Sequence, residues 1–213
     1  PAALAAIVDR IMLLKGGLFP RLRPVASLLL AGPTGVGKTL LARKLAEYLL
    51  GDKQKLIRFD MSEYATIDSL DRLVGENRLH HQADGLVDAV LEQPFPVILL
   101  DEIEKAHRVI FDALLQVLGE GRLTDLRGRT ASFSNAIILM TSNLGSGISA
   151  IQHPPAADDD RVYESHTRQA IRRYFRPELI NRLSDILVFR HLDHSAIVRI
   201  AMSEICLLYT SPS

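Results

Sequence analysis

The sequence contains no tryptophan, a single cysteine and no excess of either charge. Each shortage closes off a class of protein. Cys206 cannot form an internal disulfide, and nothing near it stands at metal-ligand spacing. A disulfide framework and a cysteine metal site are therefore excluded, and a reducing cytoplasm is the expected compartment. With 25 basic and 25 acidic side chains, the chain lacks the basic surplus that a dedicated binder of nucleic acid or anionic membrane requires. No apolar stretch reaches the roughly 20 residues that span a bilayer, and the N-terminus has no secretory pattern of basic, apolar and then small residues. The chain reads as soluble and unexported. Its first residue is Pro1, as expected of an excised or incomplete chain.

What the sequence does have is apolar material, 47% of its 213 residues. A chain of that length buries about 70% of the surface it exposes when unfolded, which allows a sizeable core. Residues 2–14 carry apolar side chains at helical spacing and end at Gly16 and Gly17. A short apolar run from Ser27 to Ala31 reads as a strand, a glycine-rich loop follows, and Leu41, Leu45 and Leu49 then recur at helical steps. Further strands are expected at KLIRFDMSEY (55–64), PVILLDE (96–102), NAIILMTSN (135–143) and DILVF (185–189). Helices are expected over 108–118, where Ile110, Phe111, Leu114, Leu115 and Leu118 share a face, over 161–175, and from Asp193 to Ile205. Strands alternating with helices predict an α/β fold, a mostly parallel five-stranded sheet covered on both faces, with ligands outside the carboxyl ends of the strands.

One of those ends carries Gly32-Pro33-Thr34-Gly35-Val36-Gly37-Lys38-Thr39. It matches G-x-x-x-x-G-K-[ST] at every fixed position, after a strand and before a helix. Glycines let backbone N–H groups curl around phosphate oxygens, the helix N-terminus adds partial positive charge, Lys38 reaches the outer phosphates, and the Thr39 hydroxyl can ligate Mg²⁺. The strand VILLDE ends in an acidic pair. Asp101 can hold magnesium directly or through water, and Glu102 can orient and deprotonate an attacking water. Asn143 ends another strand, where it serves either as a turn residue or as the holder of that water. Arg182 by itself is one arginine among many. Arg168, Arg172, Arg173 and Arg176 cluster on one helix, which suits a solvated or subunit-facing surface better than a phosphate patch.

Together the stretches LLLAGPTGVGKTLLARKLAEYL, IRFDMSEY, VILLDEIEKAH, FDALLQVLGEGRLTDLRGRT, NAIILMTSNLG and FRPELINRLSDILVF resemble the AAA+ family, and within it the second ATPase module of the Clp/Hsp100 unfoldases. The resemblance covers residues 26–190 or so and implies a P-loop NTPase three-layer sandwich. It makes 1–190 the large nucleotide-binding subdomain, 191–206 the first helix of a C-terminal lid, and 207–213 a tail outside the family pattern, a truncation or read-through scar. It implies ATP with Mg²⁺ as ligands and a homohexameric ring with ATP between subunits. Lys38 and Thr39 become Walker A residues, Asp101 and Glu102 the Walker B pair, Asn143 the sensor 1 residue. Arg182 becomes an arginine finger reaching the neighbour's γ-phosphate, which on the order of 10³ to 10⁵ in turnover depends on.

Departures from the family pattern narrow what the resemblance implies. Residues 74–86, where these unfoldases carry an aromatic gripping loop, read VGENRLHHQADGL, with His80 and His81 near the position of the aromatic. No tripeptide for docking a peptidase ring follows Gly145, and the lid's sensor 2 arginine has no counterpart. The expected function is ATP-driven protein remodelling in a ring oligomer. The alternatives are an AAA+ motor on nucleic acid, against which the neutral charge speaks, and a nucleotide-gated assembly subunit that threads nothing.

Overall fold

A computed structural model of the chain describes residues 22–75, 85–146 and 159–190. The N-terminal helix expected over 2–14, His80 and His81, the lid helix and the tail lie outside the described residues.

The first strand, β1 (Ala26–Ala31), is buried along its whole length. It runs into the glycine loop and then α1 (Lys38–Leu50). β2 (Leu56–Asp60) is shorter than the apolar pattern suggests. The Asp60 side chain accepts from the Ser62 backbone N–H and turns Met61–Tyr64 into a short 3₁₀ segment. Two short helices follow, α2 (Ser69–Val74) and α3 (Leu86–Glu92). Next come β3 (Val97–Asp101), α4 (Arg108–Glu120), an antiparallel hairpin of β4 (Arg122–Thr124) and β5 (Thr130–Ser132), and β6 (Ile137–Ser142). Described residues close with α5 (Asp159–Tyr174), α6 (Pro177–Ile180) and β7 (Asp185–Val188).

The sheet has five strands in the order β2-β3-β6-β1-β7, and all of its pairings are parallel. Period-two alternation along buried strands sends neighbouring residues to opposite faces. Leu28, Leu30, Leu99 and Leu139 therefore pack with Ala42, Leu45 and Ala46 of α1 on one side. On the other side Leu29, Leu100, Ile138 and Met140 pack with Leu73, Val87, Ile110, Leu114 and Leu118. The result is the three-layer α/β sandwich that the alternation of elements predicts. The α4 face is as expected, with Ile110, Leu114 and Leu118 buried and Phe111 and Leu115 partly so.

The register aligns the carboxyl ends. Asp60 of β2 lies opposite Asp101 of β3, and Ala31 of β1 opposite Ser142 of β6. Gly32, Asp101 and Asn143 are thereby delivered to one edge of the sheet. At the other edge Ser27 clasps the entry to β7: its hydroxyl donates to the Arg182 carbonyl at 3.1 Å and its backbone carbonyl accepts from Ser184 N–H at 2.7 Å.

Candidate nucleotide-binding site

A cavity of about 460 Å³ opens at the carboxyl edge, lined among others by Thr34, Gly35, Gly37, Lys38, Thr39, Asp101, Glu102 and Asn143. The loop bends as it does because Gly35 and Gly37 have φ of 82° and 96°, a left-handed region that side chains other than glycine's disfavour. Gly37 caps α1, whose first turn then faces the cavity. Gly32 and Pro33 are buried and turn their carbonyls inward, while Val36 sits half-buried in the loop without lining the cavity.

Lys38 is 7% exposed. Its ammonium donates to Gly32 O at 2.6 Å, Pro33 O at 2.7 Å and Asn143 Oδ1 at 2.8 Å, which uses all three of its protons. Burial pushes its pKa below the ordinary lysine value, opposed by the nearby carboxylates of Glu104, Asp101 and Glu102. Asn143 carries the contact onward, donating from Nδ2 to Glu102 Oε1 at 3.2 Å. A single amide thus joins the lysine to the carboxylate beside it. The other oxygen of Glu102 meets Lys105 Nζ at 2.5 Å, and that hydrogen bond holds the Lys105 ammonium above its usual range.

Glu102 is the one non-glycine among the described residues with positive φ, at 56°. Such a conformation costs on the order of 1–3 kcal/mol and persists only when its surroundings dictate it. Here they do: Thr141, 1% exposed, accepts from the Glu102 backbone N–H at 2.9 Å and donates to Asp101 Oδ1. One buried hydroxyl fixes the carboxylate of Asp101 and the backbone of Glu102. Asp101 also accepts from Thr39 Oγ1 at 3.3 Å and from Arg58 at 3.1 and 2.7 Å.

The donor set suits a magnesium-bound nucleoside triphosphate. Thr39 and Asp101 present hard oxygens side by side, as Mg²⁺ prefers. The glycine loop, helix N-terminus and Lys38 present positive charge to phosphates.

Arg182 stands apart. Its carbonyl is held at the start of β1, whereas the loop leaves the end of that strand, and its guanidinium donates to the Leu115 carbonyl on α4. A Cβ at Gly119 would come within 2.2 Å of Arg182 Nη1. Gly119 directly follows the helix expected over 108–118 and reads there as its stop signal, but it lies inside α4 and leaves room for that guanidinium. Sequence reasoning did not find Arg58, Thr141, Glu104 or Lys105. Glu104 accepts from Asn143 N–H at 2.9 Å and so positions the strand-end amide. Of the four, Lys105 had a local signal, standing three residues after Glu102 where a helical turn brings charges together.

Fold, loop and carboxylate pair define a P-loop nucleotide-binding domain. The AAA domain (Cdc48 subfamily) matches residues 23–186, and the chain belongs to that family. Chaperone protein ClpB 2 of Thermosynechococcus vestitus is 43% identical over 210 residues, covering 95% of this chain and 23% of that protein. Chaperone protein ClpB of Mycobacterium bovis is 45% identical over 202 residues, covering 93% of this chain and 22% of that protein. A closed-state cryo-electron-microscopy reconstruction of Hsp104 with ATPyS and FITC casein superposes with a TM-score of 0.82 at 35% identity, over 96% of this chain and 36% of that one. The module is therefore of the Clp/Hsp100 type, as its motifs imply, and it spans under a quarter of the length of these two ClpB relatives.

Thr141→Val keeps the shape of the buried hydroxyl position but leaves the Glu102 N–H unpaired and removes a donor from Asp101. An unsatisfied buried donor costs about 1–3 kcal/mol, so the urea midpoint should fall by that equivalent with an unchanged m-value. A midpoint within error of the parent would mean that Thr141 does not hold the pair.

Proposed function

We propose that this chain is the ATP-binding and ATP-hydrolysing module of a ring-forming, protein-remodelling chaperone. The observation that carries the reading is the convergence on one cavity of a lysine-bearing glycine loop, a strand-end acidic pair and a strand-end asparagine that touches both lysine and glutamate. It is supported by relatives named as chaperones and by a structural neighbour whose reconstruction contains ATPyS and casein. The ring, the protein substrates and a cytoplasmic setting belong to the same proposal.

In this reading Lys38 exchanges the Gly32 and Pro33 carbonyls for phosphate oxygens, and loop N–H groups around Gly35 and Gly37 cradle the remainder. Thr39 and Asp101 hold Mg²⁺, which when bound neutralises phosphate charge. Glu102 accepts a proton from the attacking water. Asn143 aims that carboxylate from one side and Lys105 steadies it from the other, so proton acceptance takes place at a fixed oxygen. Arg182, held against α4 outside the cavity, serves a neighbouring copy's phosphates instead of its own.

Glu102→Gln keeps the cradle and removes the base. Turnover in the intact chain should fall about 10²- to 10⁴-fold with ATP affinity preserved, as read by steady-state hydrolysis and equilibrium binding. Unchanged turnover would sink the assignment. Arg182→Ala should lower turnover by on the order of 10³ and leave ATP affinity unaltered. An equal loss of affinity would put Arg182 in its own site and contradict its action on a neighbour.

A further inference from the structure

Arg58 is the residue at the cavity whose position neither the motifs nor the mechanism above explains. It projects from β2, where an exposed strand residue has no packing role, and its side chain is 43% exposed. The guanidinium nevertheless does not extend into solvent. It crosses to β3 and donates from Nε at 3.1 Å and from Nη2 at 2.7 Å to the same oxygen, Asp101 Oδ2. Asp101 itself is 6% exposed.

Two carboxylate oxygens offer about four acceptor positions. Four donor groups already meet them: Thr141 on Oδ1, the two Arg58 N–H groups on Oδ2, and Thr39 bridging between the oxygens at 3.3 and 3.4 Å. A hydrated cation reaching Asp101 must displace one of them. Thr141 is buried and also holds the Glu102 backbone, so it is fixed. Thr39 is itself an expected metal ligand, and its departure frees only the cleft between the oxygens. Arg58 is the donor with a long, half-exposed side chain and a path to water. It is also the donor whose charge repels a divalent cation bound to the same carboxylate.

We infer that Arg58 is a positioning residue that competes with Mg²⁺ for Asp101. Its guanidinium stands where the metal's positive charge is needed and swings clear when the metal-bound nucleotide enters. The same cation lines the cavity and faces phosphates that carry no metal, so Arg58 sets how strongly the site prefers metal-bound over metal-free nucleotide. The inference rests on the nucleotide reading above, and its test separates the two.

Equilibrium binding of a fluorescent ATP analogue to the intact chain is measured in EDTA and in excess Mg²⁺, and the ratio of the two Kd values is compared between parent, Arg58→Ala and Arg58→Lys. A hydrogen bond to a charged group contributes at the level of about tenfold in an equilibrium constant. Arg58→Ala should therefore raise the ratio about tenfold, by weakening metal-free binding and sparing or tightening metal-bound binding. Arg58→Lys keeps the charge without the fork and should fall between. A ratio within twofold of the parent, a lowered ratio, or equal loss of affinity in both conditions for both variants overturns the inference while leaving the nucleotide reading intact. Absence of binding by the parent in EDTA alone overturns the inference, and absence in excess Mg²⁺ overturns the nucleotide reading and this inference with it.

Discussion

The carboxylate of Asp101 is the point on which the cavity closes. It sits at the end of a strand buried on both faces, and it is met from three other elements: Thr39 at the start of α1, Arg58 of β2 and Thr141 of β6. None of these groups is near it in sequence. A charge this buried is stable only when its oxygens are occupied by donors, so the requirement to satisfy Asp101 fixes the relative placement of three strands and a helix. The phosphate loop, the strained glutamate and the strand-end asparagine are positioned by the same constraint.

The strain at Glu102 shows how that constraint reaches the chemistry. A left-handed glutamate survives because its N–H is anchored to Thr141, which is itself anchored to Asp101. Its side chain is then caught between Asn143 and Lys105. Asn143 in turn accepts from Lys38, so the loop lysine and the Glu102 carboxylate belong to one hydrogen-bonded chain. Anything that moves the lysine is transmitted to that carboxylate through one amide. The arrangement is rigid because the sheet beneath it is packed on both faces, with Leu99 and Leu100 of β3 fully buried on opposite sides.

How much of this could be read from sequence follows the range of each interaction. The glycine loop was legible because its reason is local: Gly35 and Gly37 need positive φ, and Lys38 and Thr39 follow at fixed spacing. Strands β1, β3 and β6 were legible because buried strands are continuous apolar runs, and β2 because Ile57 and Phe59 alternate along it. The hairpin of β4 and β5 was not, since three-residue strands such as Arg122–Thr124 are too short to show alternation. The same holds for α2 and α3, at six and seven residues. Strand β2 was read too long because Met61 and Tyr64 continue the apolar pattern while Asp60 turns the backbone. Arg58 and Thr141 escaped notice for a different reason. Their partner lies about 40 residues away in the chain, 43 for Arg58 and 40 for Thr141, and no local pattern marks such a pair. The arginine expected to act on a neighbour lies against α4, and a glycine that looked like punctuation makes the space it occupies.

If Lys38 and Asp101 jointly seat metal-bound ATP, the ligand must stabilise the fold in proportion to its occupancy. Thermal unfolding of the intact chain in rising Mg²⁺–ATP should shift upward, by the equivalent of about 2.7 kcal/mol at a hundred times Kd. The shift should vanish in Lys38→Ala. No shift in the parent chain, or the same shift in Lys38→Ala, would show that these residues do not seat the nucleotide.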